Sequence, residues 1–375
     1  ASTQRFGKGN AAVRILYGVQ GTGNGHISRA RAMAPALART DIEVDWLFTG
    51  RDAERLFDME CFGDFQTRAG LTFVYADGRV NYPRTILGNN YWHFVRDVWR
   101  LDVRSYDLVV TDFEPVSAWA GKLRGTTVIS VGHQPAFDYP VPVAGKDLAT
   151  TLLMRVFAPG TVRVGMHWDS FDAPLLPPLI DVEHPPTPVQ ERKVLVYLPF
   201  ENRQAVEEVL RSVPGFEFYV YFPGSRHSDE GHLHLRPTSL DGFRADLADC
   251  AAVVCNAGFE LSSECLSLGK RLLVKPLDKQ MEQTSNALAL ETLGYGSVLH
   301  QLQGQDIRHW LESDVAPTHI AFPDVANALA RWIAGADFSA ASVQTLSDSL
   351  WKQVRVSGRA QPATGKAPPW QVRFQ

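Results

Sequence analysis

The chain is poor in cysteine, has no long apolar run and carries little excess charge, and each shortage removes a class of protein. Four cysteines, Cys61, Cys250, Cys255 and Cys265, stand in no C-x-x-C pair. A disulfide scaffold and a zinc ribbon are therefore excluded, and three of the four fall in apolar segments, as buried thiols of a reducing compartment do. No stretch reaches the ~18 uncharged apolar residues that span a bilayer, and Ala1–Asn10 lacks the apolar core of a secretory signal. The cytoplasm is the expected location. A net charge of -4 offers no basic field for nucleic acid. His227, His232 and His234 are close together, but without acids or cysteines at ligand spacing they predict a surface loop and no metal site.

What is present is length and rhythm. With 375 residues, 45% of them hydrophobic, the chain can bury two cores of roughly 100–200 residues each. Apolar runs at Val13–Val19, Val44–Phe48, Leu71–Tyr75, Leu108–Thr111, Thr127–Val131 and Thr161–Gly165 read as strands. Ile27–Arg39, Tyr91–Leu101 and Val116–Lys122 between them have helical spacing. Asp181–Arg192, with three prolines and several charges, reads as a linker. The rhythm then restarts with strand Val194–Leu198, helix Arg203–Arg211 and strand Glu217–Phe222. It continues through strand Ala252–Cys255, helix Glu260–Ser267, strand Arg271–Val274 and helix Gln280–Thr292. The expectation is an α/β chain of two doubly wound domains facing across a cleft. Residues 1–12 would be a tail, 13–183 the first domain, 184–192 the linker, 193–354 the second domain and 355–375 a disordered basic tail.

The first strand runs into GTGNGH, where Gly21, Gly23 and Gly25 precede His26 and a helix. Such a turn allows close approach, and the helix start offers free N–H groups to an anion. A dinucleotide fold has similar glycines at a different spacing, with Asp41 or Glu43 near the place of its ribose acid, so an NAD oxidoreductase stays open. His26 is either a helix-start hydrogen-bonding residue or a general base. Asp112, ending a strand at the same sheet edge, is the carboxylate that would orient it, unless Asp112 merely caps the next helix. Glu114 competes for that role.

The densest signal is CNAGFELSSECLSLGKRLLVKPLDKQMEQTSNALALETLGYG, Cys255 to Gly296. A strand, a turn with Gly258 and a helix start place Ser262 and Ser263 hydroxyls beside free amides, a cradle for a diphosphate. Asn256, Phe259, Glu260 and Leu261 flank that turn. Glu264, about one turn into the helix, is placed to accept both hydroxyls of a ribose. Asp278, Gln280, Glu282 and Gln283 precede the next helix and suit sugar hydroxyls.

This segment resembles the donor signature of GT-B glycosyltransferases. The nearest patterns are those of the UDP-sugar glucuronosyl/glucosyltransferase family and of the N-acetylglucosaminyltransferases that complete lipid II. Gly258, Ser263–Glu264, Pro276, Asp278 to Gln283 and Asn286–Ala287 stand where those families have their turn, helix pair, strand end and loop. The Gly-x-Gly-x-Gly-His loop matches as well, and so does Asp112. The resemblance implies an inverting, metal-independent transfer from a nucleotide-diphosphate sugar, UDP-sugar first, to an acceptor alcohol. No cofactor is expected beyond that co-substrate. Two departures stand out: Asn256 replaces a phosphate-binding histidine, and Leu233–Arg244 lacks the aromatic residue that would stack on the base. His133 and Gln134 resemble an acceptor or sugar contact, and Glu114 is grouped with them as an acceptor residue. Trp92, in the aromatic segment 81–99, and the apolar helix 148–157 either pack the core or form a rim for an acceptor, the helix then touching a membrane surface. A UDP-N-acetylglucosamine 2-epimerase of the same fold and a non-catalytic sugar-nucleotide binder are the other readings; nothing in the sequence speaks to oligomeric state.

Overall fold

The structure, a computed structural model, describes residues 13–358 except 77, 81, 145–147 and 182–186; for 75, 76, 80, 82, 83, 86 and 148–152 it describes the backbone alone. The expected tails at 1–12 and 359–375 and linker residues 184–186 lie outside that set.

The first domain is built from β1 (Val13–Gln20), α1 (Asn24–Leu37), β2 (Ile42–Thr49), β3 (Phe65–Arg68), α2 (Tyr82–Gly88), α3 (Tyr91–Arg100), β4 (Leu108–Asp112), α4 (Pro115–Arg124), β5 (Thr127–Gly132), α5 (Leu148–Phe157) and β6 (Val162–Gly165). Its six strands run parallel in the order β3-β2-β1-β4-β5-β6. Along β1, Ile15, Tyr17 and Val19 enter one core while Leu16 enters another, because period-2 side chains of a sheet covered on both faces must serve both. One strand departs from expectation. The third strand is Phe65–Arg68, held edge-on by its Phe65 ring against Phe48 at 5.4 Å. Most of Leu71–Tyr75 is irregular, with Gln20 donating to the Leu71 carbonyl.

The second domain comprises β7 (Gln190–Tyr197), α6 (Arg203–Arg211), β8 (Glu217–Tyr221), β9 (Ser228–Glu230), β10 (Leu233–Arg236), α7 (Leu240–Asp249), β11 (Cys250–Asn256), α8 (Phe259–Ser267), β12 (Arg271–Lys275), α9 (Met281–Leu293), β13 (Ser297–Val298) and α10 (Gly304–Glu312). Its order is β9-β10-β8-β7-β11-β12-β13, with β9 antiparallel at one edge. Both sheets reverse direction of strand order beside their first strand, the crevice where such folds bind ligands.

Three boundaries shift. Gln190 already pairs with Cys250, so the predicted linker ends in strand β7. Arg355–Ser357, expected in a disordered tail, pair antiparallel with His319–Ala321. The terminal helices α11 (Val325–Ala334) and α12 (Ala340–Trp351) return to the first domain. There α11 lies against α1, and both Ser347 Oγ and Trp351 Nε1 donate to the Leu175 carbonyl at 2.6 and 2.7 Å. The largest core is therefore shared, holding Ile27 and Met33 together with Leu329 and Ile333. No helix among the described residues is long and apolar enough to cross a membrane.

Candidate active site

The first strands of both sheets end at one cleft, in a cavity of about 260 Å³. On its first-domain side the chain leaves β1 through Gly21, whose Cβ would stand 2.9 Å from the Thr49 carbonyl, and reaches α1 with Gly23 in the capping position. Gly23 and Gly25 line the cavity.

His26 is in the first turn of α1. Its Nδ1 lies 2.7 Å from Asp112 Oδ1. Arg29, one turn on, donates through Nε and Nη2 to both oxygens of Asp112, each at 2.7 Å. Burial pushes the Asp112 carboxyl up, but Arg29 and His26 outweigh it and hold the carboxyl below its ordinary value. An ionised Asp112 can only accept, so the proton between the two belongs to Nδ1 and Nε2 keeps its lone pair. The His26 ring is stacked at 12° over Phe113, whose φ of 54° is a strained conformation for an aromatic residue directly after Asp112.

Across the cleft, Gly258 occupies the cap position of α8 with φ -75°, and open space surrounds its Cβ. The first-turn amides of Phe259, Glu260 and Leu261 have no partner within an α-helix, and these residues edge the cavity. The two serines expected beside them point elsewhere. Ser263 Oγ donates to the Phe259 carbonyl at 2.7 Å and accepts from Trp168 Nε1 at 2.8 Å, and Ser262 is fully buried. The cradle at α8 is thus one of backbone rather than hydroxyls. Asn256 Nδ2 donates to the Lys275 carbonyl at 3.0 Å, while its Oδ1 is buried without a partner. Glu260 faces Arg29 across the cleft and forms a buried ion pair with it. Burial pushes its carboxyl upward, with Asp112 and Glu264 adding to the rise, and Arg29 draws it back toward the ionised form.

The loop before α9 divides. Gln280, Glu282 and Gln283 line the cavity. Gln280 caps α9 by accepting from the Gln283 amide, and Gln283 Oε1 accepts from the Leu277 amide. Asp278 does not join them: it pairs with Arg79 at 3.2 Å, its amide donates to the Gly78 carbonyl at 2.9 Å, and it sits largely in solvent. His133 and Gln134 do reach the cavity wall. Gln134 Nε2 donates to Glu282 at 3.2 Å, and the His133 ring stacks on Phe259 at 4.1 Å. Burial lowers the pKa of His133.

Two expected acceptor residues lie outside. Glu114 is fully buried, accepts from the Val116 and Ser117 amides at 2.7 and 2.6 Å and from Thr49 Oγ1, and is itself the cap of α4. The capping role considered for Asp112 thus falls to Glu114, which leaves Asp112 to His26. Trp92 is 85% exposed on α3 and contributes to a separate surface hollow. The apolar wall is made instead by Phe73, Phe113, Met154 and Phe157, so one end of the 148–157 helix meets the cavity.

A smaller cavity of about 110 Å³ adjoins the first, sharing Asn24, Gly25, Tyr197, Glu260 and Leu261. Glu264 lines it, half-buried, together with Phe243, Ile180 and Arg244. The aromatic residue missing from the sequence reading of Leu233–Arg244 is therefore Phe243. Burial pushes Glu264 up to about 7, against the pull of Arg244. Sequence reasoning also missed Arg29, although a cation one helical turn beyond a candidate base shares its face. Trp168 carried no such signal, whereas Phe157 ends the apolar helix 148–157 already read as a candidate rim. The described residues contain no group of three or more His, Cys, Asp or Glu arranged to hold a metal; His234 instead contacts Asp229 at 2.7 Å and Glu217 at 2.9 Å.

Comparison with known proteins bears on the fold. No curated protein matches the sequence. Among solved structures, LpCGTa in complex with UDP superposes with a TM-score of 0.56 at 13% identity, covering 91% of this chain and 99% of that one. The Streptomyces sp. SF2575 glycosyltransferase SsfS6, complexed with thymidine diphosphate, gives 0.53 at 14% identity over 91% and 99%. The spinosyn rhamnosyltransferase SpnG, complexed with spinosyn aglycone, gives 0.50 at 13% over 91% and 96%. At these identities the likeness is one of fold, two Rossmann-like domains in the GT-B arrangement. A family model, glycosyl transferase family 1, matches residues 13–314, most of the chain and both faces of the cleft, so the chain belongs to that family and is a GT-B glycosyltransferase.

Proposed function

We propose that the chain moves a sugar from a nucleotide-diphosphate sugar, UDP-sugar first, to the hydroxyl of an apolar acceptor, with inversion and without a metal. The observation that carries this is the His26–Asp112 pair, 2.7 Å apart, facing the uncapped start of α8 across one cavity. His26 Nε2 takes the acceptor proton as the oxygen attacks the anomeric carbon from the face opposite the diphosphate. The amides of Phe259, Glu260 and Leu261 and the α8 dipole receive the charge that develops on the leaving diphosphate, the service a metal supplies elsewhere. Gln280, Glu282 and Gln283 face the sugar. The smaller cavity takes the nucleoside, with Glu264 on the ribose and Phe243 against the base. Neighbours of the same fold are in complex with UDP, thymidine diphosphate and spinosyn aglycone, which supports a nucleotide donor and an aglycone acceptor.

Incubation with UDP-, dTDP- and GDP-sugars and an aromatic alcohol tests the reading. Expected are a glycoside of inverted anomeric configuration and a rate indifferent to EDTA. Retained configuration or EDTA-sensitive turnover would sink the mechanism.

Peripheral membrane contact belongs to the same proposal. Leu87, Tyr91, Trp92, Val95, Trp99, Leu123, Leu153 and Val156 are exposed, and all lie on α2–α5. Arg124 ties α4 to the Val98 and Trp99 carbonyls of α3, and Trp119 ties it to the Val156 carbonyl of α5. Exposed Arg96, Arg100 and Lys122 add the positive charge that suits an anionic lipid surface. Co-sedimentation with phosphatidylglycerol vesicles, lost in Trp92→Ser/Trp99→Ser, is the expected result; a wild type that stays in the supernatant removes this contact.

A further inference from the structure

Arg29 does more than a general-base pair requires. It is 1% exposed on α1, yet its guanidinium reaches both domains. Two of its nitrogens hold Asp112, and the third, Nη1, reaches Glu260 on the first turn of α8. Nη2 also lies 3.0 Å from His26 Nδ1. Two glycines make room for this arrangement. Gly132, at φ 142°, ends β5 where a Cβ would stand 3.1 Å from Arg29 Nη2 and 3.2 Å from Asp112 Oδ1. Gly25 lets α1 approach α8, since its Cβ would stand 3.1 Å from Glu260 Cγ.

A buried ion triad is weak support for stability, because desolvation offsets its attraction, but it can specify one arrangement over others. Building on the sugar-transfer reading above, we propose that Arg29 is a positioning residue that spans the cleft, so that the base pair and the donor helix reach their working register only together. In the closed cleft the guanidinium fixes Asp112, Asp112 fixes the His26 ring, and Glu260 fixes the guanidinium relative to the amides that receive the diphosphate. When the domains part, Arg29 keeps Asp112 and loses Glu260, and the base is no longer held relative to the donor.

The test is a double-mutant cycle on Arg29→Gln and Glu260→Gln, with folding checked by circular dichroism and Arg29→Lys as the conservative variant. Each single change is expected to lower kcat by about 10–100-fold, the scale of a misplaced reacting group, with donor KM within about threefold. Residues acting as one unit do not add, so the double variant should be no slower than the slower single one. The pH–rate profile separates positioning from scaffolding. The groups that face Arg29 are His26 on α1, Tyr17 on β1, Asp112 on β4, His133 after β5, and Glu260 with Glu264 behind it on α8. Without the guanidinium, Asp112 confronts the imidazole unopposed, so the ascending limb should move to higher pH in Arg29→Gln and return part of the way in Arg29→Lys. Losses that multiply in the double variant, or an unmoved limb, would overturn the proposal. If Arg29→Gln does not fold, Glu260→Gln decides alone: wild-type kcat in that variant ends it. His26→Ala run alongside tests the underlying reading separately: wild-type turnover in that variant would remove the general base itself, whatever the Arg29 and Glu260 variants do.

Discussion

The helix starts that meet across the cleft, α1 and α8, begin alike and differ in what they present. Each has a glycine in the capping position and no side-chain cap. Seven other helices have filled caps: Asn90 on α3, Glu114 on α4, Asn202 on α6, Ser239 on α7, Gln280 on α9, Asp324 on α11 and Ser339 on α12. A cap satisfies orphan amides, and leaving them bare costs stability. At α1 the bare turn carries His26 with an ionised carboxylate behind it. At α8 it carries amides, a buried acid and Phe259. On the proposed mechanism one side moves a proton and the other receives an anion, and a chain that caps seven of its other helices leaves these two open. α10 is also uncapped, at Gln303, but lines neither cavity.

Breaking the α1 side should have the largest effect. His26→Ala is expected to lower kcat by about 10²–10⁴-fold, the range for general-base loss, while calorimetry finds nucleoside-diphosphate affinity nearly unchanged because α8 and Glu264 remain. A variant that keeps its turnover, or loses nucleotide binding in proportion, would mean that the two sides do not divide the labour this way.

Filling the α8 cap is the converse change. Gly258 has φ -75° and an open Cβ position, so Gly258→Asp should fold and cap the helix, gaining a few tenths of a kcal/mol over glycine. The new carboxylate would occupy the amides and repel a diphosphate, weakening UDP binding by roughly 1–3 kcal/mol. Higher Tm with lower affinity is the expected pair of readings. Undiminished affinity would place the diphosphate elsewhere.

This comparison also shows what was legible from residues alone. Glycine before an apolar helix marks an uncapped turn in any sequence, and alternating strands and helices mark two doubly wound sheets, so the fold and both helix starts could be read. Side-chain direction could not. Ser262 and Ser263 follow Gly258 closely enough to suggest hydroxyls at the ligand, but a helix turns 100° per residue and carries both inward. Glu114 and Asp112 are two residues apart on the chain, and only the sheet register decides which reaches His26. Partners brought by the other domain, such as Trp168 on Ser263 or Arg79 on Asp278, leave no local pattern.

A smaller effect follows from Glu264. Its carboxyl, pushed up to about 7 by burial, is largely protonated below that pH and must ionise to accept two ribose hydroxyls. Nucleotide affinity should therefore strengthen as pH rises from 6 to 8, by at most about tenfold per unit, and Glu264→Gln should flatten the dependence. Calorimetric titration across that range checks it; a slope that persists in the variant would assign the proton to another group.

The smallest effect sharpens the α8 side itself. If backbone rather than hydroxyl groups hold the diphosphate, removing either serine hydroxyl should leave UDP affinity within about twofold, well below the loss of a hydrogen bond to a charged ligand. The two serines should still differ from each other. Ser263 Oγ joins the Trp168 indole to the Phe259 carbonyl, so Ser263→Ala strands a buried indole N–H and should lower stability by about 1–3 kcal/mol. Ser262 Oγ is buried with no partner, so Ser262→Ala deletes an unsatisfied hydroxyl and should leave Tm unchanged or raise it. The discriminating measurement is affinity and Tm on the same samples. A tenfold loss of UDP affinity in Ser262→Ala with unchanged Tm would restore the hydroxyl to the ligand and require the first turn of α8 to rotate when donor binds.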